Sequence, residues 1–256
     1  MGKVFEALKK AEKERLKLIK KAGADPSAIA MAEGEVDPHL VAYYDRMSPV
    51  TEQYRALKTN LATLHADEPP KAIVITSAQA GEGKTLTALN LAVTLADDKE
   101  ARVVVVDGDM RTPAVHRRFG IDNQRGLSDY LSGSVMLEVV LQRSRLPNLS
   151  LLPSGRLPGN PGELLSSKKM ADLLARLNRD FDHVIIDAPP VAVGTDAAIL
   201  GAKADGAVLV VKLGETPREE VHSAVDLLEQ SRVKLLGTVL THLPAAVKDY
   251  EYAPAV

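Results

Sequence analysis

Residues 72–85 read AIVITSAQAGEGKT, and this stretch decides the fold class. It begins as an apolar strand and ends where a helix is predicted to start. Gly81 and Gly83 lie between the two elements, where they let backbone N–H groups close around phosphate oxygens at a helix N-terminus. Lys84 would reach the β- and γ-phosphates of ATP, and the Thr85 hydroxyl would bind Mg²⁺. The predicted nucleotide contacts are Ala80, Gly81, Glu82, Gly83, Lys84, Thr85 and Leu86.

Apolar, β-branched runs alternate with helical patterns along the rest of the chain. This alternation is typical of a parallel sheet that is covered on both faces. We therefore predict an α/β, doubly wound, mainly parallel sheet with helices on both faces, of the P-loop NTPase class. Ligands of such sheets bind at the carboxyl ends of the strands. The predicted strands are 72–76, 102–107, 149–152, 183–187, 207–213 and 235–241, and the main predicted helices are 85–97, 170–180 and 218–231.

Two further predicted strands end in carboxylates. Asp107 and Asp109 follow one strand, and Asp187 ends another. A single aspartate at a strand end is often only a turn or helix-cap residue. Three of them beside a phosphate-binding loop would repel each other unless a cation lay between them. The grouping therefore predicts a magnesium site.

Composition excludes several classes of protein. The formal net charge of −2 over 256 residues gives no general attraction to nucleic acid or anionic membranes. The absence of cysteine excludes disulfides and Cys-ligated metal centres. No apolar run approaches the ~18 residues that span a bilayer, and the N-terminus lacks the apolar core of a secretion signal. We expect a cytoplasmic protein with no nucleic-acid partner.

Three parts are predicted along the chain: 1–47, 48–241 and 242–256. Within the first, 3–21 is a predicted helix with more Lys and Arg than Glu. Such a helix is either a docking helix for a partner or membrane surface, or a solvated helix. Gly and Pro in 22–47 indicate a linker. The central part is the nucleotide-binding domain, and the last part is a tail that contains two tyrosines.

The motifs together resemble those of the bacterial tyrosine kinases of exopolysaccharide and capsule synthesis, in the form of a separate cytoplasmic kinase domain. The similarity covers roughly 48–241. It is carried by the phosphate loop at 77–85, VVDGDMRTP at 105–113, VIIDAPP at 184–190, GLSDYL at 126–131, NPGELL at 160–165 and EQYRALK at 52–58. In combination these motifs are far more specific than the phosphate loop alone.

The resemblance implies an ATP-dependent protein-tyrosine autokinase. Asp107 would be the base for the acceptor tyrosine hydroxyl, and Arg111 would help to neutralise phosphate charge. The implied catalytic residues are Lys84, Asp107, Asp109 and Arg111. The implied magnesium ligands are Thr85, Asp109 and Asp187.

The resemblance also implies partners. Glu52, Arg55 and Lys58 would contact a neighbouring subunit in an octameric ring, although a helical ion-pair ladder is an alternative explanation of their spacing. Tyr250 and Tyr252 would receive phosphate from that neighbour. A transmembrane polysaccharide co-polymerase would act as an adaptor that activates the kinase and holds it at the inner face of the plasma membrane.

Two other functions fit a P-loop domain. One is a ParA/MinD-like positioning ATPase, which would usually carry a lysine where Gln79 and Ala80 stand. The other is a nucleotide-sensing partner of a polysaccharide export complex that has no kinase activity. Tyr43 and Tyr44 are additional acceptor candidates in the predicted linker.

Overall fold

The computed structural model describes residues 34–64 and 69–242. The predicted helix at 3–21 and the tyrosines Tyr250 and Tyr252 lie outside the described residues. The fold and the site are therefore built from the two described ranges.

Within these ranges the strands form one sheet of seven in the order β3-β4-β2-β5-β1-β6-β7. All neighbours are parallel except β3 and β4, so the predicted fold class is confirmed. Strand β3 was not predicted, because a strand of only two residues is too short to give a recognisable sequence pattern. The strands are β1 (Ala72–Ser77), β2 (Val103–Asp107), β3 (Gln142–Arg143), β4 (Leu149–Leu152), β5 (His183–Asp187), β6 (Gly206–Lys212) and β7 (Leu235–Thr241).

The helices of the described ranges fall between these strands. None of them is long and apolar enough to cross a membrane. They are α1 (Val41–Tyr44), α2 (Pro49–Thr63), α3 (Lys84–Leu95), α4 (Val115–Phe119), α5 (Leu127–Leu131), α6 (Leu137–Val140), α7 (Pro161–Ser166), α8 (Lys168–Asp180), α9 (Asp196–Gly201) and α10 (Arg218–Gln230), with a 3₁₀ turn at Val191–Val193.

Strand β1 lies inside the sheet between β5 and β6, and all six of its residues are buried. Its side chains alternate between two apolar layers, because successive residues of a strand point to opposite faces. Ile73 and Ile75 pack with α2, α3 and α4 on one face. Ala72 and Val74 pack with α8, α9 and α10 on the other. The two layers cover both faces of β1, so a ligand can approach this strand only at its ends.

Helix α8 shows how the sequence produces this layering. Its buried residues Met170, Leu173, Leu174 and Leu177 recur at helical spacing along one side. Ser167 caps the helix by accepting a hydrogen bond from the Met170 backbone N–H at 3.2 Å. The predicted start at residue 170 is two residues late, because Ser167, Lys168 and Lys169, which precede the first apolar residue, are all polar.

Residues 34–47, which the sequence assigns to a linker, instead pack on α3. Leu40 and Ala42 are buried in the apolar layer that contains α3. Asn90 of α3 accepts a hydrogen bond from the Ala42 N–H at 3.0 Å and donates to the His39 carbonyl at 3.2 Å. Because the contacts that hold this segment come from a helix some fifty residues later, its own composition could not predict them.

Replacing Leu40 with Ala should lower the free energy of unfolding by about 2–5 kcal/mol, because a fully buried leucine leaves a cavity. The matched control is His39→Ala, since the His39 side chain is 74% exposed. It should change the stability by less than ~0.5 kcal/mol. Urea unfolding measures both values, and equal stabilities would show that residues 34–47 are not part of the folded domain.

Candidate active site

Two left-handed glycines shape the phosphate-binding loop between β1 and α3. Gly81 has φ +85° and Gly83 has φ +95°, a region that residues with a side chain rarely adopt. Gly83 is the N-cap of α3, so the unpaired N–H groups of the first helical turn face the loop. Ala78, where such loops usually begin with glycine, has no positive φ, and it packs in the core. Alanine therefore fits there without strain.

Lys84 and Thr85 join this loop to the two acidic strand ends. The Lys84 ammonium lies 2.9 Å from an Asp109 oxygen and 3.5 Å from an Asp187 oxygen. The Thr85 hydroxyl donates to the other Asp187 oxygen at 2.7 Å. The structure thus brings together the lysine, the hydroxyl and two of the three carboxylates that the sequence singled out.

The ion pairs counter the burial of these groups. Burial disfavours the ammonium of Lys84, but Asp187 and Asp109 outweigh it and hold the pKa of Lys84 above its ordinary value. Burial also disfavours the charge of Asp109, yet Lys84 and Thr112 hold its pKa below the usual value. For Asp187, burial dominates over Lys84 and Thr85 and raises the pKa.

Asp107 lies beside Asp187 in the register of β2 and β5 and is fully buried. One of its oxygens accepts the Val115 N–H at 3.1 Å. The other has no hydrogen-bond partner within the described residues. Burial, followed by the Asp187 charge, raises the pKa of Asp107 well above its ordinary value. Asp107 is thus oriented by one hydrogen bond and has one oxygen free to take a proton.

The residues present fit a magnesium ion. Across 34–64 and 69–242, no three His, Asp or Glu side chains are grouped to hold a metal ion by themselves. Mg²⁺ does not need such a group, since it commonly uses one or two carboxylates together with waters and substrate phosphates. Thr85, Asp109 and Asp187 offer oxygens of this kind, and the buried Asp107 oxygen that has no partner among the described residues offers an acceptor for the waters of such an ion.

Arg111 forms an ion pair with Asp196, a residue that sequence reasoning missed. Its Nε lies 2.7 Å and its Nη2 lies 3.2 Å from the two oxygens of Asp196. The Asp196 side chain is fully buried, whereas the Arg111 side chain is 39% exposed. Asp196 is the first residue of α9, a position at which aspartate is ordinary, so the sequence held no signal for this contact.

Glu82 anchors the phosphate loop from within. It is buried, and its carboxylate accepts the Gln79 N–H at 2.9 Å and the Thr216 hydroxyl. The Thr241 hydroxyl, at the end of β7, donates to the Glu82 carbonyl at 2.8 Å. The ends of β6 and β7 therefore hold the loop, and this role of Thr216 and Thr241 was not apparent from their positions in the chain.

The predicted subunit-contact residues lie on α2. Glu52 and Arg55 form an ion pair with each other, and Arg55 lies 3.6 Å from Asp97. Glu52 is exposed, and Lys58 is half-buried on the same helix. One pair of the predicted ladder, Glu52 with Arg55, thus forms within the single chain, and a subunit contact would have to exchange it.

The tyrosines of the described residues are all partly buried: Tyr43, Tyr44, Tyr54 and Tyr130. The Tyr44 hydroxyl donates to the Val36 carbonyl, and the Lys169 ammonium lies 4.8 Å from the centre of the Tyr130 ring. Tyr43 packs edge-on against the ring of Tyr44. The predicted acceptors, Tyr250 and Tyr252, lie outside the described residues.

Comparison with known proteins places the chain among relatives of known activity. A family model described as an AAA domain matches residues 70–230, which include the phosphate loop and the three aspartates. The chain is 40% identical over 202 residues to the tyrosine-protein kinase YwqD of Bacillus subtilis (strain 168). That match covers 79% of this chain and 85% of YwqD.

Solved structures give the same result. The crystal structure of the chimerical protein CapA2B2 matches with a TM-score of 0.78 and 33% identity, covering 84% of this chain and 95% of that chain. The kinase domain of the Escherichia coli tyrosine kinase ETK matches with a TM-score of 0.76 and 28% identity, covering 91% and 90%. The P-loop, its acidic strand ends and these similarities show that the chain belongs to the bacterial tyrosine-protein kinases.

Proposed function

We propose that this chain is an ATP-dependent autokinase that phosphorylates tyrosines of a neighbouring copy and thereby regulates exopolysaccharide or capsule synthesis and export. The observation that supports it best is the meeting of Lys84 and Thr85 with Asp109 and Asp187, next to a buried Asp107 that has one oxygen without a partner among the described residues. This arrangement supplies a phosphate-binding cation, oxygens for a metal ion and a proton acceptor at one edge of the sheet.

Each residue has a proposed task. Lys84 binds the β- and γ-phosphate oxygens of ATP in exchange for its carboxylate partners. Thr85, Asp109 and Asp187 hold Mg²⁺, which when bound supplies positive charge against the charge that develops on the transferring phosphoryl group. The N–H groups at the start of α3 bind the remaining phosphate oxygens. Together these groups orient the γ-phosphate toward the end of β2.

Asp107 acts as the base in the transfer step. The tyrosine hydroxyl gives its proton to the Asp107 carboxylate as its oxygen bonds to the γ-phosphorus. The bond from that phosphorus to the bridging oxygen breaks, and ADP leaves with the electron pair. The raised proton affinity of a buried carboxylate favours this role, because a base works best when its pKa lies near the operating pH.

The acceptors are Tyr250 and Tyr252 in the segment KDYEYAP at 248–254. The described tyrosines pack against their own chain, which leaves these two as the best candidates. A tail tethered to one subunit is held at high effective concentration near the site of the next. Each added phosphate brings a charge of about −1.5 to −2, which would loosen an assembly in which several tails meet.

The proposed assembly is a homo-oligomeric ring through α2, docked on a transmembrane polysaccharide co-polymerase. Some relatives are much longer, since the match covers only 27% of the tyrosine-protein kinase ptk of Acinetobacter johnsonii. A relative of that length has room for further domains in the same chain. Here the proposed adaptor would be a separate protein, and the kinase would lie peripherally at the inner face of the plasma membrane.

Asp107→Asn should lower the rate of autophosphorylation by at least about 10²-fold, because the amide cannot take the tyrosine proton. ATP affinity should stay within several-fold, since the near-isosteric amide oxygen can still accept the Val115 N–H. Asp187→Asn should instead weaken the magnesium-dependent part of binding. Single-turnover kinetics and calorimetry separate the two effects. Normal turnover in Asp107→Asn would move the role of base to another group, with Asp109 as the first candidate.

Mixing two variants tests whether phosphate moves between subunits. Lys84→Met should abolish phosphorylation when alone, because it removes the cation that binds the transferring phosphoryl group. Tyr250→Phe with Tyr252→Phe should bind ATP but accept little phosphate. A mixture of the two should place phosphate on the tail of the Lys84→Met chain, as mass spectrometry of the separated chains would show.

The matched control for Lys84→Met is Lys99→Met, because Lys99 is exposed. This control variant should keep full autophosphorylation activity. Phosphate on Tyr43, Tyr44, Tyr54 or Tyr130 as the main product would contradict the proposed acceptors. Nucleotide hydrolysis without any phosphotyrosine would favour the positioning ATPase, and nucleotide binding without turnover would favour the sensor.

Glu52→Ala combined with Arg55→Ala should reduce the oligomer without unfolding the domain, if these residues contact a neighbour. Within one chain their ion pair contributes only a few tenths of a kcal/mol, so stability should change little. Light scattering measures the mass, and circular dichroism checks the fold. An unchanged mass under conditions where the wild type assembles would leave only the helical ladder.

A further inference from the structure

We propose that Asp196 is a positioning residue of the active site, which acts through Arg111 to orient Asp109 for the metal ion. The inference rests on the proposed function. It gives Arg111 a role besides the expected one of helping to neutralise phosphate charge, and it brings into the site a residue outside its three acidic motif positions. Four sets of contacts support it.

The first is the ion pair itself. Arg111 uses two nitrogens on the two oxygens of Asp196, at 2.7 and 3.2 Å, which is the forked geometry that fixes a guanidinium in one plane. Asp196 is fully buried, and a buried carboxylate without its cation is strongly destabilising. The pair is therefore a fixed contact, and its fork cannot serve a phosphate group at the same time.

The second is the close packing around the pair. A side chain at Gly194 would begin 3.3 Å from Nη2 of Arg111, and one at Gly162 would begin 3.6 Å from an Asp196 oxygen. The backbone of Gly194 thus lies close to the guanidinium, and the backbone of Gly162 lies close to the carboxylate. A side chain at either glycine would crowd the pair.

The third links Arg111 to the metal side. The backbone N–H groups of Arg111 and Thr112 donate to one oxygen of Asp109, at 3.2 and 2.9 Å. The Thr112 hydroxyl lies 3.1 Å from the other oxygen. The orientation of the Asp109 carboxylate therefore depends on where the backbone of Arg111 and Thr112 lies, and the fork to Asp196 sets that position.

The fourth is a second contact of α9 with residues 107–111, through Leu200. A side chain at Gly108, between the two acids of the motif, would meet Leu200 of α9 at 2.8 Å and the Asp187 carbonyl at 3.0 Å. The Gly108 N–H also donates to that carbonyl at 2.8 Å. Helix α9 thus fixes residues 107–111 through Leu200 at one end and Asp196 at the other, relative to the strand that ends in Asp187.

The test measures ADP binding by calorimetry with and without MgCl₂. Asp196→Asn keeps the shape of the side chain but offers the Arg111 guanidinium one acceptor oxygen in place of two. Water can replace the lost hydrogen bond, because the Arg111 side chain is 39% exposed. We expect the gain in affinity that Mg²⁺ confers to fall by on the order of 10-fold, as for other partners that orient metal ligands. Binding without Mg²⁺ should change less than ~2-fold.

A double-mutant cycle with Arg111→Ala separates this role from a direct contact with phosphate. If Asp196 acts through Arg111, the magnesium-dependent gain in ADP affinity should be no smaller in the double variant than in the more impaired single variant. Two losses that multiply in the double variant would overturn the inference. A loss in Arg111→Ala with none in Asp196→Asn would overturn it as well. The rate of phosphotyrosine formation should fall in parallel with the magnesium-dependent gain.

The matched control is Asp182→Asn. Asp182 makes a two-nitrogen ion pair of the same kind with Arg102, at 3.1 and 3.2 Å, but these two residues lie at the amino ends of β5 and β2, away from the site. It should leave the magnesium dependence unchanged. If Asp196→Asn does not fold, Arg111→Lys keeps the positive charge without the fork. Wild-type magnesium dependence in Arg111→Lys would overturn the inference, and a loss equal to that of Arg111→Ala would support it. A wild-type chain that binds Mg-ADP but forms no phosphotyrosine would overturn the proposed function and leave this inference intact.

Discussion

The ion pairs of Lys84 with Asp109 and Asp187 are the interaction on which this site depends. Parallel pairing of β2 and β5 places Asp107 directly beside Asp187 at the end of the sheet. Neighbouring buried carboxylates repel each other, so a cation at these strand ends stabilises their charged forms. Lys84 supplies it when no nucleotide is bound. A metal ion with its nucleotide can replace it without leaving the acids uncompensated.

Lys84 can pair with these carboxylates only if the phosphate loop and α3 keep their positions. Lys84 is the first residue of α3, so the position of its ammonium depends on where that helix starts. Gly83 sets the start, and Glu82 ties the loop to the ends of β6 and β7. Nearly all of α3 is buried, and Asn90 joins it to residues 34–47. The electrostatic centre is thus supported by packing that extends to the N-terminal side of the domain.

The packing also relates the predicted subunit-contact helix to the nucleotide site. Helix α2 lies against α3, and Tyr54 and Leu57 of α2 pack on the apolar layer that contains α3. Burial raises the pKa of Tyr54, which indicates that its ring lies largely out of water. A neighbour bound to the exposed side of α2 would therefore be one helix away from Lys84. This gives assembly a short physical route to the phosphate loop.

The sequence by itself determined the class of fold, the phosphate loop and the acids at the strand ends, because these signals are local. Apolar runs predict strands, and GEGKT between a strand and a helix predicts the loop. Only the tertiary structure decided which groups meet. Asp196 binds Arg111 across 85 residues of chain, and Asn90 holds residues that read as a linker. Thr241 supports the loop from the last strand. Such contacts depend on the register and layering of the sheet, which bring distant residues together for reasons that no local pattern contains.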